Sequence, residues 1–125
     1  MVYLEDGNNS VKNLIMIGTP NRGAPLAFWD VWCYPAINDL KFESLATQAI
    51  QNPNTDYYTI YGNWMRFVSG NPYIFGYDDG IVPTWSVNSE DYFMNIGNTF
   101  DYHNSLQTQN EYTIARPILL GISIN

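Results

Sequence analysis

The sequence predicts an α/β fold with about three parallel strands and flanking helices. Short apolar or β-branched runs recur at Leu14 to Ile17, Asp56 to Gly62 (DYYTIYG) and Asp91 to Gly97 (DYFMNIG), each followed by turn-forming residues. The first run is apolar at every position, the pattern of a strand covered on both faces. Helix-like stretches lie between and after these runs, and such alternation joins parallel neighbours.

Met1 to Glu5 reads as the last turn of a helix, stopped by Gly7, Asn8 and Asn9. The first strand then ends at Gly18 and Pro20. From Ala24 to Gln51 the pattern loosens, with Ala27, Trp29, Trp32, Tyr34 and Ile37 set among Pro25 and Pro35. Within it, Leu40 to Ile50 is a helix candidate, because Leu45, Ala46 and Ile50 share a face and Asn52-Pro53 ends it. The second strand leads into a Gly- and Pro-bearing loop that runs to Pro83. The third leads into a loop with the single histidine, His103. Ser105 to Leu120 reads as a terminal helix with Leu106, Tyr112, Ile114 and Ala115 as apolar positions. No repeat, low-complexity stretch or linker divides residues 1–125, so one domain is expected.

Composition narrows the functions. The chain has 125 residues, 46% of them hydrophobic and 14% charged, which excludes a disordered tail. A chain of this length can bury roughly two thirds of its unfolded surface. Five cations stand against twelve carboxylates, with no basic cluster to neutralise phosphates or an anionic membrane. Nucleic acid is therefore not an expected partner. Cys33 is the only cysteine, so no internal disulfide forms, and without a basic neighbour it reads as an inert thiol. No paired Cys or His residues offer a metal site. No run is long enough to span a membrane, and Met1 to Ser10 lacks the basic and apolar regions of a signal peptide. The compartment stays open.

Two loops carry chemistry. One is Tyr77-Asp78-Asp79-Gly80-Ile81-Val82-Pro83, and the other is Asp101-Tyr102-His103-Asn104-Ser105-Leu106. Parallel sheets build sites at the carboxyl ends of their strands, so an Asp loop and a His loop can face each other there. An imidazole that takes a proton from a hydroxyl needs its tautomer fixed, and a carboxylate held in a rigid turn fixes it. Gly80 and Pro83 suit such a turn. On these residues alone, a plain loop contact between an aspartate and His103 is the commoner reading of such a pair. Ile81 and Val82 either wall an acyl pocket or pack in the core.

The segment VKNLIMIGTPNRGAPLA resembles the strand and loop that follow the nucleophile-bearing helix in lipase- and esterase-like α/β-hydrolases. YTIYG at Tyr58 to Gly62 resembles the next strand of that family, DDGIVP its acid loop, and HNSL at His103 to Leu106 its histidine loop. These segments occur in the family's order and together span about Val11 to Leu120. Ala24 stands where the family commonly has Ser. The resemblance implies that the chain is the C-terminal portion of an α/β-hydrolase acting on carboxylic esters or lipids without cofactor or metal. It makes Asp79 the triad acid and His103 the base. Asp78, which does not directly precede Gly80, is left to solvent. Residues of about 24–50, with Trp29, Trp32 and Tyr34, lie where the family inserts a lid; ordinary packing accounts for them equally well. Arg22 could orient a substrate, but pairing with a local carboxylate or facing solvent is the favoured reading.

The family also needs a Gly-x-Ser-x-Gly turn for its nucleophile. None of Ser10, Ser44, Ser69, Ser86, Ser89, Ser105 or Ser123 has both glycines. That turn is expected before Met1, on a strand that would pair with Leu14 to Ile17. Alone, the chain is then expected to be inactive toward esters, and to self-associate or be complemented through an open strand edge. The alternative is a non-catalytic interaction module that uses the same edge. An aromatic carbohydrate-binding module would be all strand, which the terminal helix argues against.

Overall fold

The computed structural model describes residues 11–25, 27, 40–41, 52–64 and 76–122. Within them lie three strands, β1 (Asn13–Ile17), β2 (Asp56–Gly62) and β3 (Phe93–Thr99). A one-turn helix α1 (Thr84–Val87) precedes β3, a 3-10 turn (His103–Ser105) follows it, and helix α2 (Gln109–Leu119) ends the described chain. The sheet order is β1-β2-β3 and both pairs are parallel. The expected α/β class, three parallel strands with flanking helices, is therefore present.

β2 is central because both of its faces are covered. Thr59 and Ile60 are adjacent, point to opposite faces, and are each 0% exposed. Its register with β3 shifts between Thr59 and Ile60. On one face Met16, Tyr57 and Phe93 form a buried cluster, with Val11, Leu14 and Tyr92 packed against it. Tyr92 meets both Tyr57 and Phe93 edge-on, at ring separations of 5.2 and 4.8 Å. The Tyr57 hydroxyl accepts the buried Asn52 N–H at 2.9 Å, so its polar tip is satisfied.

β1 is an edge strand among the described residues. The Lys12 carbonyl accepts from Asp56 and the Gly18 N–H donates to Ile60, so even-numbered residues of β1 bond to β2. By alternation, Asn13, Ile15 and Ile17 turn their backbone groups to the other edge.

Three boundaries differ from the sequence expectations. β3 runs from Phe93 to Thr99, so it starts and ends two residues later than expected, because a turn from Glu90 to Phe93 holds Asp91 and Tyr92 outside the strand. The terminal helix starts at Gln109, not Ser105. Thr108 caps it and Glu111 completes a reciprocal capping box, so the chain must leave helical geometry before Thr108. The helix buries Glu111, Ala115 and Ile118, with Ile114 set against Gly97, while Tyr112 is 50% exposed and is not a core position. α1 is a single turn that hydrophobic periodicity does not register.

Of the lid-like stretch, only Ala24, Pro25, Ala27, Leu40 and Lys41 are described. Ala24 donates its N–H to the Leu40 carbonyl at 2.8 Å, which brings the two ends of the intervening chain together. Cys33, the Trp29–Trp32–Tyr34 cluster, the last helix turn expected at Met1 to Glu5 and most of the Leu40 to Ile50 helix lie outside the described residues.

Candidate catalytic dyad

The three strands deliver three loops to one end of the sheet. β1 ends at Gly18, β2 leads toward the Asp loop, and β3 leads directly to the His loop. Asp78 and Pro83 form an isolated antiparallel bridge, the Asp79 N–H donates to the Val82 carbonyl at 3.3 Å, and Thr84 donates to Tyr77 at 2.9 Å. Gly80 turns this loop with a φ of +96°, as its place after two aspartates suggested.

Asp79 is fixed from several directions. Its Oδ1 accepts the N–H groups of Ile81 and Val82 at 3.0 and 2.7 Å. Its Oδ2 lies 2.7 Å from His103 Nδ1. Its backbone carbonyl accepts the His103 N–H at 2.8 Å. The Asp79 side chain is 1% exposed and that of His103 is 30% exposed. With a carboxylate as acceptor, Nδ1 carries the proton and Nε2 presents its lone pair. Among the described residues Nε2 has no hydrogen-bond partner.

Two strand-ending glycines make room for this pair. A Cβ on Gly18 would sit 2.4 Å from Leu106 Cδ1 and 3.3 Å from Asp79 Oδ2. A Cβ on Gly62 would sit 2.6 Å from Asp79 Cβ and 2.7 Å from the Asp101 carbonyl. Both distances to carbon are below any normal contact, so a side chain at either position displaces the acid or Leu106, which is itself buried between the strand ends.

Asp78 corrects the sequence reading. It is 2% exposed, not solvated, and its Oδ1 accepts the Gly80 N–H at 2.7 Å. Burial pushes its carboxyl above the ordinary range; the Gly80 N–H opposes this and the neighbouring Asp79 charge adds to it. Val82 is 2% exposed and belongs to the packed interior, whereas Ile81 is half-buried beside the dyad loop. Arg22 lies 3.6 Å from Glu90, a pair of partly exposed side chains.

The structure adds residues that sequence reasoning missed. The Ser86 hydroxyl accepts the Arg22 N–H at 3.1 Å and donates to the Gly23 carbonyl at 2.7 Å, while Asn21 Nδ2 donates to the Val87 carbonyl at 2.8 Å. These bonds dock the Thr-Pro-Asn-Arg-Gly loop after β1 onto α1, which directly follows the acid loop. Nothing in the spacing of Asn21 and Ser86 announces this pairing. Glu111 is the second omission, although Thr108-x-x-Glu111 is a capping signature visible in the sequence.

Comparison with protein-family models, with curated proteins and with solved structures returns no match for this chain. Among the described residues no group of His, Cys, Asp and Glu is arranged to hold a metal ion. Nor is any described helix long and apolar enough to cross a membrane. A shallow cavity of about 290 Å³ is lined by Lys12, Asn13 and Asp56 at the amino ends of the strands, and contains neither member of the dyad.

Proposed function

We propose that this chain supplies the acid and base of a serine hydrolase of carboxylic esters, of the lipase and esterase type. The observation that carries the reading is the 2.7 Å contact between buried Asp79 and partly exposed His103, with Nε2 left without a partner among the described residues. In this reading His103 Nε2 removes the serine hydroxyl proton as the oxygen attacks the ester carbonyl. It then returns that proton to the departing alkoxide. Asp79 holds the Nδ1–H tautomer and stabilises the imidazolium. A water deprotonated by the same nitrogen releases the acid and restores the serine.

The serine is assigned to none of the described positions. Ser86 is spent between Arg22 and Gly23, and neither Ser89 nor Ser105 bonds His103. The nucleophile turn and its oxyanion amides are assigned to a segment pairing with the open edge of β1. In this reading the stretch of about 24–50 is the lid, and Ile81 suits an acyl-pocket wall.

The test joins the chain in frame to the segment encoded immediately upstream and measures hydrolysis of p-nitrophenyl esters of graded chain length. Hydrolysis and fluorophosphonate labelling are expected, falling about 10³-fold or more in His103→Ala and Asp79→Asn. An upstream segment without a Gly-x-Ser-x-Gly turn, or hydrolysis indifferent to His103, overturns the reading.

A second reading, a non-catalytic module, draws on the same strand edge. Asn13, Ile15 and Ile17 offer backbone groups without a strand partner among the described residues, a template for another chain. Under either reading the isolated chain associates as its concentration rises. Sedimentation velocity that finds a compact monomer throughout removes the open edge as a working surface.

A further inference from the structure

The loop that carries His103 leaves β3 at Thr99 and enters α2 at Thr108. One buried carboxylate holds both ends. Glu111 is 1% exposed. Its Oε1 accepts the Thr99 hydroxyl at 2.6 Å, and its Oε2 accepts the Thr108 N–H at 2.9 Å and the Thr108 hydroxyl at 2.7 Å. A capping box accounts for the Thr108 bonds alone. The Thr99 bond is different in kind, because it crosses from the helix to the last residue of the strand. A helix cap gains nothing from it, and an exposed Glu at this position would cap as well without the cost of burying a charge. A second, exposed link runs from Asn110 Nδ2 to Asp101 Oδ2 at 3.1 Å, just ahead of the base.

We propose that Glu111 is a positioning residue for His103: by tying Thr99 to Thr108 it closes the neck of the base loop and sets the Nδ1–Oδ2 contact with Asp79. This rests on the reading of His103 as the base, and it is tested without activity. Asp79 is anchored by its own turn, so the length of the contact depends on where the His loop sits. With Leu106 packed under the dyad and Thr108 fixed, the loop has little freedom left. Releasing Thr99 returns that freedom at the strand end while the helix keeps its cap.

Thr99→Val removes the cross-link and leaves the capping box intact, and Thr99→Ser keeps the hydroxyl. His103 is the only imidazole in the 125 residues, so its ring nitrogens can be read in this chain, uniformly ¹⁵N-labelled, without assignment. In the unsubstituted chain the Nδ1–H tautomer is expected, with a slowly exchanging Nδ1 proton. In Thr99→Val, Nδ1–H exchange is expected to accelerate about tenfold, the equivalent of losing one charge-assisted hydrogen bond from a local opening, and the ring to shift toward the Nε2–H tautomer. Thr99→Ser should restore both. Thr99→Ala, which also removes the hydroxyl and leaves the capping box in place, gives the same reading if Thr99→Val does not fold. Unchanged tautomer and exchange in the folded variants overturn the proposal and leave Glu111 a helix cap only. If these signals shift as expected but the joined polypeptide hydrolyses no ester, the clamp stands and the hydrolase reading falls.

Discussion

The Asp79 turn and the His103 turn meet in two hydrogen bonds, one between side chains and one between backbones, but are supported differently. Asp79 sits in a loop closed on itself: both neighbouring amides bond its Oδ1, Asp78 bridges Pro83, and α1 follows at once. The His103 turn has no buried residue of its own. It hangs between Thr99 and Thr108, with Leu106 buried beneath it and Glu111 bonded to both of its ends. The acid is held by local chain, the base by distant contacts. A rigid carboxylate can orient an imidazole, whereas an imidazole that shuttles a proton must also reach a substrate and water. Under the proposed reading, the partial exposure of His103 and the burial of Asp79 serve that division.

The largest expected break in this comparison comes from truncating each partner. Asp79→Ala strands the amides of Ile81 and Val82 and should cost about 3 kcal/mol of stability. His103→Ala removes a partly exposed ring whose place water can take at Oδ2, and should cost about 1 kcal/mol or less. Urea unfolding of both variants checks this, and equal losses would erase the distinction between the two turns.

The pH response sharpens it. Glu111 sits below its ordinary value: burial pulls it up, but the Thr99 hydroxyl and the Thr108 hydroxyl and N–H outweigh that. Its contribution is therefore complete above the unfolded value near 4.5 and is lost as pH falls through the folded value. Asp78 is raised above 3.8, so the folded state resists its ionisation. Its penalty is absent below 3.8 and grows as pH rises through the folded value. Asp78→Asn should thus stabilise the chain at neutral pH and do nothing in strong acid. Glu111→Gln should destabilise it at neutral pH, with the gap narrowing in acid. Melting temperatures across pH 3 to 7 separate the two signs.

The smallest effect belongs to Arg22. Its side chain is half exposed and only 3.6 Å from Glu90, so Arg22→Ala should change stability by about 0.5 kcal/mol or less. Ser86→Ala should cost about 2 kcal/mol, because it leaves the Gly23 carbonyl and Arg22 amide of the docked loop without their partner. Chemical denaturation resolves that difference, and a reversed order would mean that the Arg22 side chain, not its backbone, anchors the loop.

Much of the scaffold was legible because its signals are local. DYYTIYG is a strand in any parallel sheet that covers both faces, and Asp79 and His103 announce themselves as an Asp followed by Gly and the single histidine, each in a loop after a strand. The ends of β3 and α2 were not, because a turn at Glu90 and a cap at Thr108 outrank periodicity over a few residues.

By itself the sequence determined the class of fold, the direction of its strands and the two loops that hold Asp79 and His103. Only tertiary structure decided that Asp78 is buried, that Gly18 and Gly62 must lack side chains, that Ser86 bonds the loop after β1, and that Glu111 links Thr99 to Thr108. The reason is physical. Periodicity and turn chemistry act between residues near in sequence. The distance between Asp79 and His103 is set by packing between residues far apart in the chain, and no local pattern encodes it.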